Sequence, residues 1–113
     1  MYIAMNRFKV ALGSEAAFET HWLTRESYLG QMTGFVEFHL LRGPERGDHR
    51  LYSSYTLWTT KAAFEAWTVS EPFKRAHART GNSGVTYLGH PEFEGFEVLQ
   101  TVGRDAPAPV AAE

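Results

Sequence analysis

The order in which the hydrophobic period changes along the chain constrains its fold more than any other feature. A period-two run from Tyr2 to Val10 gives way to helical spacing, then to two more strand-like runs, a second helical stretch and a last strand. In the first run Tyr2, Ala4, Asn6, Phe8 and Val10 share one face, and Ile3, Met5, Arg7 and Lys9 the other. Gly13 breaks that strand, Ser14 is placed to cap a helix, and Phe18, Trp22, Arg25 and Leu29 recur at helical spacing to about Tyr28. Gly34 opens a strand from Phe35 to Arg42, Gly43 to Asp48 reads as a moderately long turn, and a third strand runs from Arg50 to Trp58. Thr59 or Thr60 caps a short helix holding Ala63, Phe64 and Trp67. Ser70 and Pro72 restart the helix to about Arg79, with a bend near Val69. The stretch from Thr80 to Pro91 reads as a loop with a short strand at Val85 to Leu88, and the last strand is expected from Phe93 to Val102.

The order β-α-β-β-α-β predicts an α+β chain in the ferredoxin-like split β-α-β arrangement, an antiparallel sheet carrying two helices on one face. The 113 residues suffice for one domain, expected over 1–102, with 103–113 an Ala/Pro-rich flexible tail. The other sheet face is expected to carry Ile3 and Met5 with some of Phe35, Leu41, Leu51, Tyr55 and Leu57, which is too apolar for solvent. A homodimer through that face, closing an α+β barrel between two subunits, would bury it.

A net charge of −2 provides no basic field for nucleic acid or anionic lipid. The absence of cysteine excludes disulfide scaffolds, thiolate metal sites, cysteine nucleophiles and covalent C-x-x-C-H haem attachment. No secretory leader pattern and no long apolar run occurs, so a cytoplasmic protein that does not engage a membrane is the expectation. Phosphate-cradling glycine loops, nucleophile motifs and paired carboxylates do not emerge.

Three positions stand out. Asn6 puts an amide on an apolar strand face, where an unmet hydrogen bond costs about 1–3 kcal/mol. It either bonds nearby backbone or a barrel rim, or aims a donor at a ligand. His77 follows Phe73 and Ala76 on one helical face, as an iron-ligating imidazole would, or as a helix-terminal histidine favoured by the macrodipole. Trp67 lies in a cluster with Ala63 and Phe64, which suits core packing and equally a bulky ring pressed on a planar cofactor. His21, His39, His49 and His90 show no ligand spacing with His77. Trp22 reads as core, and Arg25 as a solvated charge or a partner for an anionic carboxylate.

The segments Met5-Asn6-Arg7-Phe8, Thr33-Gly34-Phe35-Val36, Trp58 to Trp67 and Ser70 to His77 resemble the antibiotic biosynthesis monooxygenase superfamily, and within it the haem-degrading monooxygenases of the IsdG type. The resemblance spans about residues 1–102, and the joint presence of Asn6, Trp67 and His77 is its most specific part. It implies that haem is cofactor and substrate together, with His77 the proximal iron ligand. It also implies that Asn6 bonds oxygen held on the distal side, and that Trp67 distorts the porphyrin. The implied reaction opens the macrocycle with O₂ and electrons from an external donor, since nothing resembles a flavin or nicotinamide site, and releases iron and a bilin-type product. The alternatives are a cofactor-independent monooxygenase of the same superfamily acting on a polycyclic phenol, and a dimer that binds haem without degrading it.

Overall fold

A computed structural model describes residues 1–77 and 84–104. Four strands, β1 (Tyr2–Ala11), β2 (Phe35–Arg46), β3 (His49–Trp58) and β4 (Glu92–Glu97), form one antiparallel sheet in the order β2-β3-β1-β4. Among the described residues three helices accompany it, α1 (Glu15–Thr24), α2 (Lys61–Thr68) and α3 (Glu71–His77), with a short 3₁₀ turn at Leu29–Gln31. This is the expected α+β, ferredoxin-like arrangement. No described helix is long and apolar enough to cross a membrane.

The alternation of β1 decides which side becomes the core. Tyr2, Ala4, Phe8 and Val10 are buried beneath the helices, as are Tyr52 and Trp58 of β3. They sort into two clusters. Tyr2, Ala4, Leu29, Trp58, Trp67 and Ala76 pack toward α2 and α3, while Phe8, Val10, Phe18 and Tyr52 pack beneath α1. Between them the register sets Asn6 opposite Ser54, so the floor of the sheet changes from apolar to polar at that row.

Several boundaries differ from the sequence-based expectation, each for a physical reason. The first helix stops at Thr24 because Arg25 turns extended, and its guanidinium then lies 3.9 Å above the Trp22 ring. Tyr28 follows in the left-handed region, so Leu29 reaches the core from a 3₁₀ turn. The β2–β3 connection is a tight turn at Gly47 and Asp48, because β2 runs on to Arg46 through a register shift between Arg42 and Glu45. Phe35 joins the helix-side core instead of the outer face, as its pairing with Trp58 requires. The short strand near Val85 reduces to one bridge, Val10 to Tyr87, and β4 ends at Glu97 instead of Val102. The end of the helix expected to reach Arg79 and most of the expected tail lie outside the described residues.

The caps follow the sequence more closely. Thr60 accepts from the Ala63 backbone N–H, and Ser70 accepts from Phe73 N–H while donating to Trp67 carbonyl, which stitches α2 to α3. Ser14 makes no cap bond and instead accepts from Thr86 N–H, tying the loop before β4 to α1. Gly34, at φ 85°, lets β2 approach α2: a Cβ there would come 2.5 Å from Ala63 Cβ.

One buried polar contact anchors α1. The Tyr52 hydroxyl, on a ring only 1% exposed, donates to Glu19 Oε2 at 2.6 Å, and Arg42 Nη1 reaches the same oxygen at 3.4 Å. Burial, then the carboxylate, pushes the Tyr52 phenol up to about 12, while its hydrogen bond draws Glu19 down. Tyr52→Phe removes that donor from a partly exposed carboxylate, and chemical denaturation should show a loss of about 0.5–1.5 kcal/mol.

Candidate functional site

Asn6 stands at the middle of β1, half-buried, on the helix-facing side between Ala4 and Phe8. Across the sheet it faces Ser54 on one side and Phe93 on the other. Its amide has no hydrogen-bond partner among the described residues, nor has the hydroxyl of Ser54, which is 7% exposed. No wholly buried side-chain oxygen or nitrogen among them lacks a partner, so both polar ends keep access to the space above the sheet. The next polar side chain along β3 is already engaged: Thr56 donates to Ala4 carbonyl and accepts from Trp58 Nε1.

His77 closes α3. Its Nδ1 lies 2.7 Å from the Phe73 carbonyl oxygen, which can only accept, so Nδ1 carries the proton and the lone pair resides on Nε2. The ring stacks on Phe73 at 4.1 Å. Burial lowers the pKa below the usual histidine value, more than the carbonyl bond raises it, and the Arg25 charge lowers it further. A neutral imidazole with this tautomer, backed by a backbone carbonyl, has the electronic form of a metal ligand.

Arg25 belongs to the same place, though sequence reasoning gave it no definite role. It is half-buried against Trp22, its burial lowers its own pKa, and its charge reaches both His21 and His77. Among the described residues it has no carboxylate within ion-pair distance. A partly desolvated guanidinium without an anion is costly, and an incoming carboxylate relieves the cost. The aromatic ring below it, one turn earlier in α1, was the available signal.

Trp67 lies elsewhere in character. At 5% exposure it is core, tilted against Trp58 at 6.3 Å and edge-on to Phe73 at 5.4 Å. It adjoins His77 through Phe73, which touches both rings. Arg25 at the end of α1 and His77 at the end of α3 thus lie within electrostatic reach of one another, Phe73 links His77 to Trp67, and Asn6 stands apart on the sheet. Among the described residues no three His, Asp or Glu side chains gather around a point. What would suit haem here is a single neutral imidazole, a guanidinium with no carboxylate partner among the described residues, and the aromatic rings beside them. A separate groove of about 320 Å³, lined by Met5, Arg7, Leu41 and Leu51, opens on the opposite face of the sheet and is not part of this site.

Residues 1–79 match the family model described as antibiotic biosynthesis monooxygenase. The chain belongs to that family. No curated protein sequence matches it. Among solved structures, it is similar to the haem-degrader MhuD from Mycobacterium tuberculosis with two haems bound in its active site. That likeness is 28% identity over 91% of this chain and all of the other (100%), with a TM-score of 0.69. A mutant of MhuD with two manganese protoporphyrin IX groups per active site matches at 27% identity, over 91% and 99% of the two chains, with a TM-score of 0.70. SnoaB, a cofactor-independent oxygenase from Streptomyces nogalater, matches at 24% identity over 89% and 96% with a TM-score of 0.61, a likeness of fold. The family supports an oxygenase, and the similar solved structures include a haem-degrader and a cofactor-independent oxygenase.

The histidines carry a pH signature. Burial, then Arg25, holds both His21 and His77 below the ordinary value of about 6.5, so below that pH the unfolded chain takes up protons that the folded chain refuses. Stability therefore falls as pH drops from 7.5 toward 5.5. Guanidinium denaturation midpoints at the two pH values should draw closer together in His77→Gln than in the wild type.

Proposed function

We propose that this monooxygenase-family chain is a haem-degrading enzyme, holding haem non-covalently and opening the porphyrin with O₂ and externally supplied electrons. The observation that carries the reading is the neutral His77, its Nδ1 proton committed to Phe73 carbonyl, beside a half-buried Arg25 that lacks an anion among the described residues. The likeness to MhuD adds to it.

When bound, haem supplies a redox-active iron and is itself the substrate, yielding iron and a bilin-type product. The chain's own residues do the rest. His77 would hold the iron through Nε2, with the Phe73 carbonyl keeping the ring oriented. Arg25 would pair a propionate carboxylate. Asn6 would offer amide N–H donors from the sheet. Trp67, braced by Trp58 and 5% exposed, would press on the porphyrin from the core side. Electrons come from a separate reductase or a small reductant.

The same proposal includes a homodimer through the outer sheet face. Ile3, Met5, Leu51 and Leu57 lie half-buried there, and Leu41 and Phe96 are exposed, 40% and 47%. Apolar side chains grouped around the Arg7–Glu94 pair on one sheet face are costly in water, and a second copy related by a two-fold axis would cover them. Leu57→Glu should halve the mass seen by sedimentation without unfolding the chain; an unchanged mass would count against the dimer.

A haem titration followed in the visible spectrum, then ascorbate and a peroxide scavenger in air, tests the activity. A saturating Soret band at one haem per chain that decays into a bilin spectrum is expected. A stable band would instead indicate a haem carrier, and no band would turn the search to phenolic substrates. His77→Ala should abolish coordination of the iron, whereas Asn6→Ala should keep binding and slow turnover about 10- to 100-fold, in the range of a lost oriented donor.

A further inference from the structure

We propose that Phe93 is a ligand-binding residue: the free face of its ring, at the β4 end of the row that carries Asn6 and Ser54, is the platform on which a flat polycyclic ligand stacks. That row crosses the helix-facing side of the sheet as Leu40, Ser54, Asn6 and Phe93. Contact with Phe64 of α2 places the Phe93 ring on the same side.

The two ends of the row differ. Toward β2 the core clusters meet, Trp22 of α1 lying parallel to Phe38 of β2 at 6.0 Å. Toward β4 no ring pair among the described residues joins them. Phe93 has one ring neighbour, Phe64, parallel within 10° at 5.6 Å, and it is still 50% exposed. A parallel stack covers one face of a ring, so the exposed area belongs to the other face and the edge. The ring also leans along β4 toward Gly95, where an added Cβ would come 3.3 Å from Phe93 Cε2. Gly95 faces Ala4, so this lean carries the ring away from Asn6 and leaves the amide half-buried instead of sealed.

A lone exposed phenylalanine is common on protein surfaces. Its neighbours set this one apart. Asn6 is its direct partner across the ladder and Ser54, 7% exposed, comes next; neither side chain has a hydrogen-bond partner among the described residues, and both polar ends keep access to the space above the sheet. An aromatic face beside a few unmet polar groups is the lining that small-molecule sites have. The proposed homodimer uses the opposite face of the sheet and leaves Phe93 uncovered.

The inference deepens the haem reading, haem being a ligand of this class, but it concerns the ring system and not the iron. Metal-free protoporphyrin IX, which offers His77 nothing to coordinate, is therefore the probe, titrated into the haem-free protein and followed by its fluorescence. Phe93→Ala should weaken its binding about three- to tenfold, the worth of one aromatic pair. Phe93→Tyr should bind as the wild type does, and Phe93→Leu, apolar without a flat ring, should resemble Phe93→Ala. At 50% exposure the residue can be replaced with the fold intact, which denaturation midpoints check. Equal affinity in the wild type and Phe93→Ala overturns the proposal, even where the wild type degrades haem. A second titration, with the fluorescent phenol 1-hydroxypyrene, separates the two claims: if the phenol binds, the porphyrin does not, and Phe93→Ala weakens the phenol by the same factor, the haem reading fails and the platform stands. A wild type that binds neither ring system overturns the platform as well.

Discussion

The structure depends on β1 being paired on both edges. Its ten residues form a ladder with β3 along their whole length and with β4 over the first half. A one-residue slip would turn Tyr2, Ala4, Phe8 and Val10 outward and send Ile3, Arg7 and Lys9 beneath the helices, so the register is held by burial on one side. Asn6 inherits its place from its neighbours: being even-numbered in that strand, it points toward the helices whatever its own preference.

The two faces of the sheet then serve different ends. The helix-facing side carries the aromatic clusters and the polar row of Asn6 and Ser54. The outer side carries leucines, Met5 and Phe96, with Arg7 and Glu94 paired at 3.6 Å. At its edge His39 bonds Glu37 and leans on the Tyr55 ring. The proposed association of copies and the proposed binding of haem can therefore be tested independently by substitution.

The element order and the helix-facing alternation of β1 were legible because they repeat over many residues. The N-cap at Thr60 and the restart at Ser70 were legible because each depends on a few adjacent residues. Less local features were not. The end of α1 at Thr24 follows from Arg25 finding the Trp22 ring, and the tight turn at Gly47 and Asp48 follows from a register shift that Gly43 and Pro44 disguised as a loop. The sequence leaves open which of Phe35, Leu41, Leu51, Tyr55 and Leu57 face outward, and Phe35 turns to the helix side because a shift in pairing begins beside it. At the site, Asn6 and His77 stood out as polar groups on apolar faces. Ser54 did not, since a serine within Ser-Ser-Tyr-Thr looks like a solvated strand until its partner across the sheet is known.

The polar row also divides the molecule mechanically. On either side of Asn6 and Ser54 lies an aromatic cluster, one gathered on Trp58 and Trp67, the other on Phe8, Phe18 and Tyr52. Trp22 of the second stacks on Phe38 of the first at 6.0 Å, and the backbone ladder of β1 and β3 joins the two halves as well. Opening one cluster while the other stays closed therefore has to part that stacked pair, so the coupling between the two halves of the core is carried by a ring on α1 resting on a ring of β2.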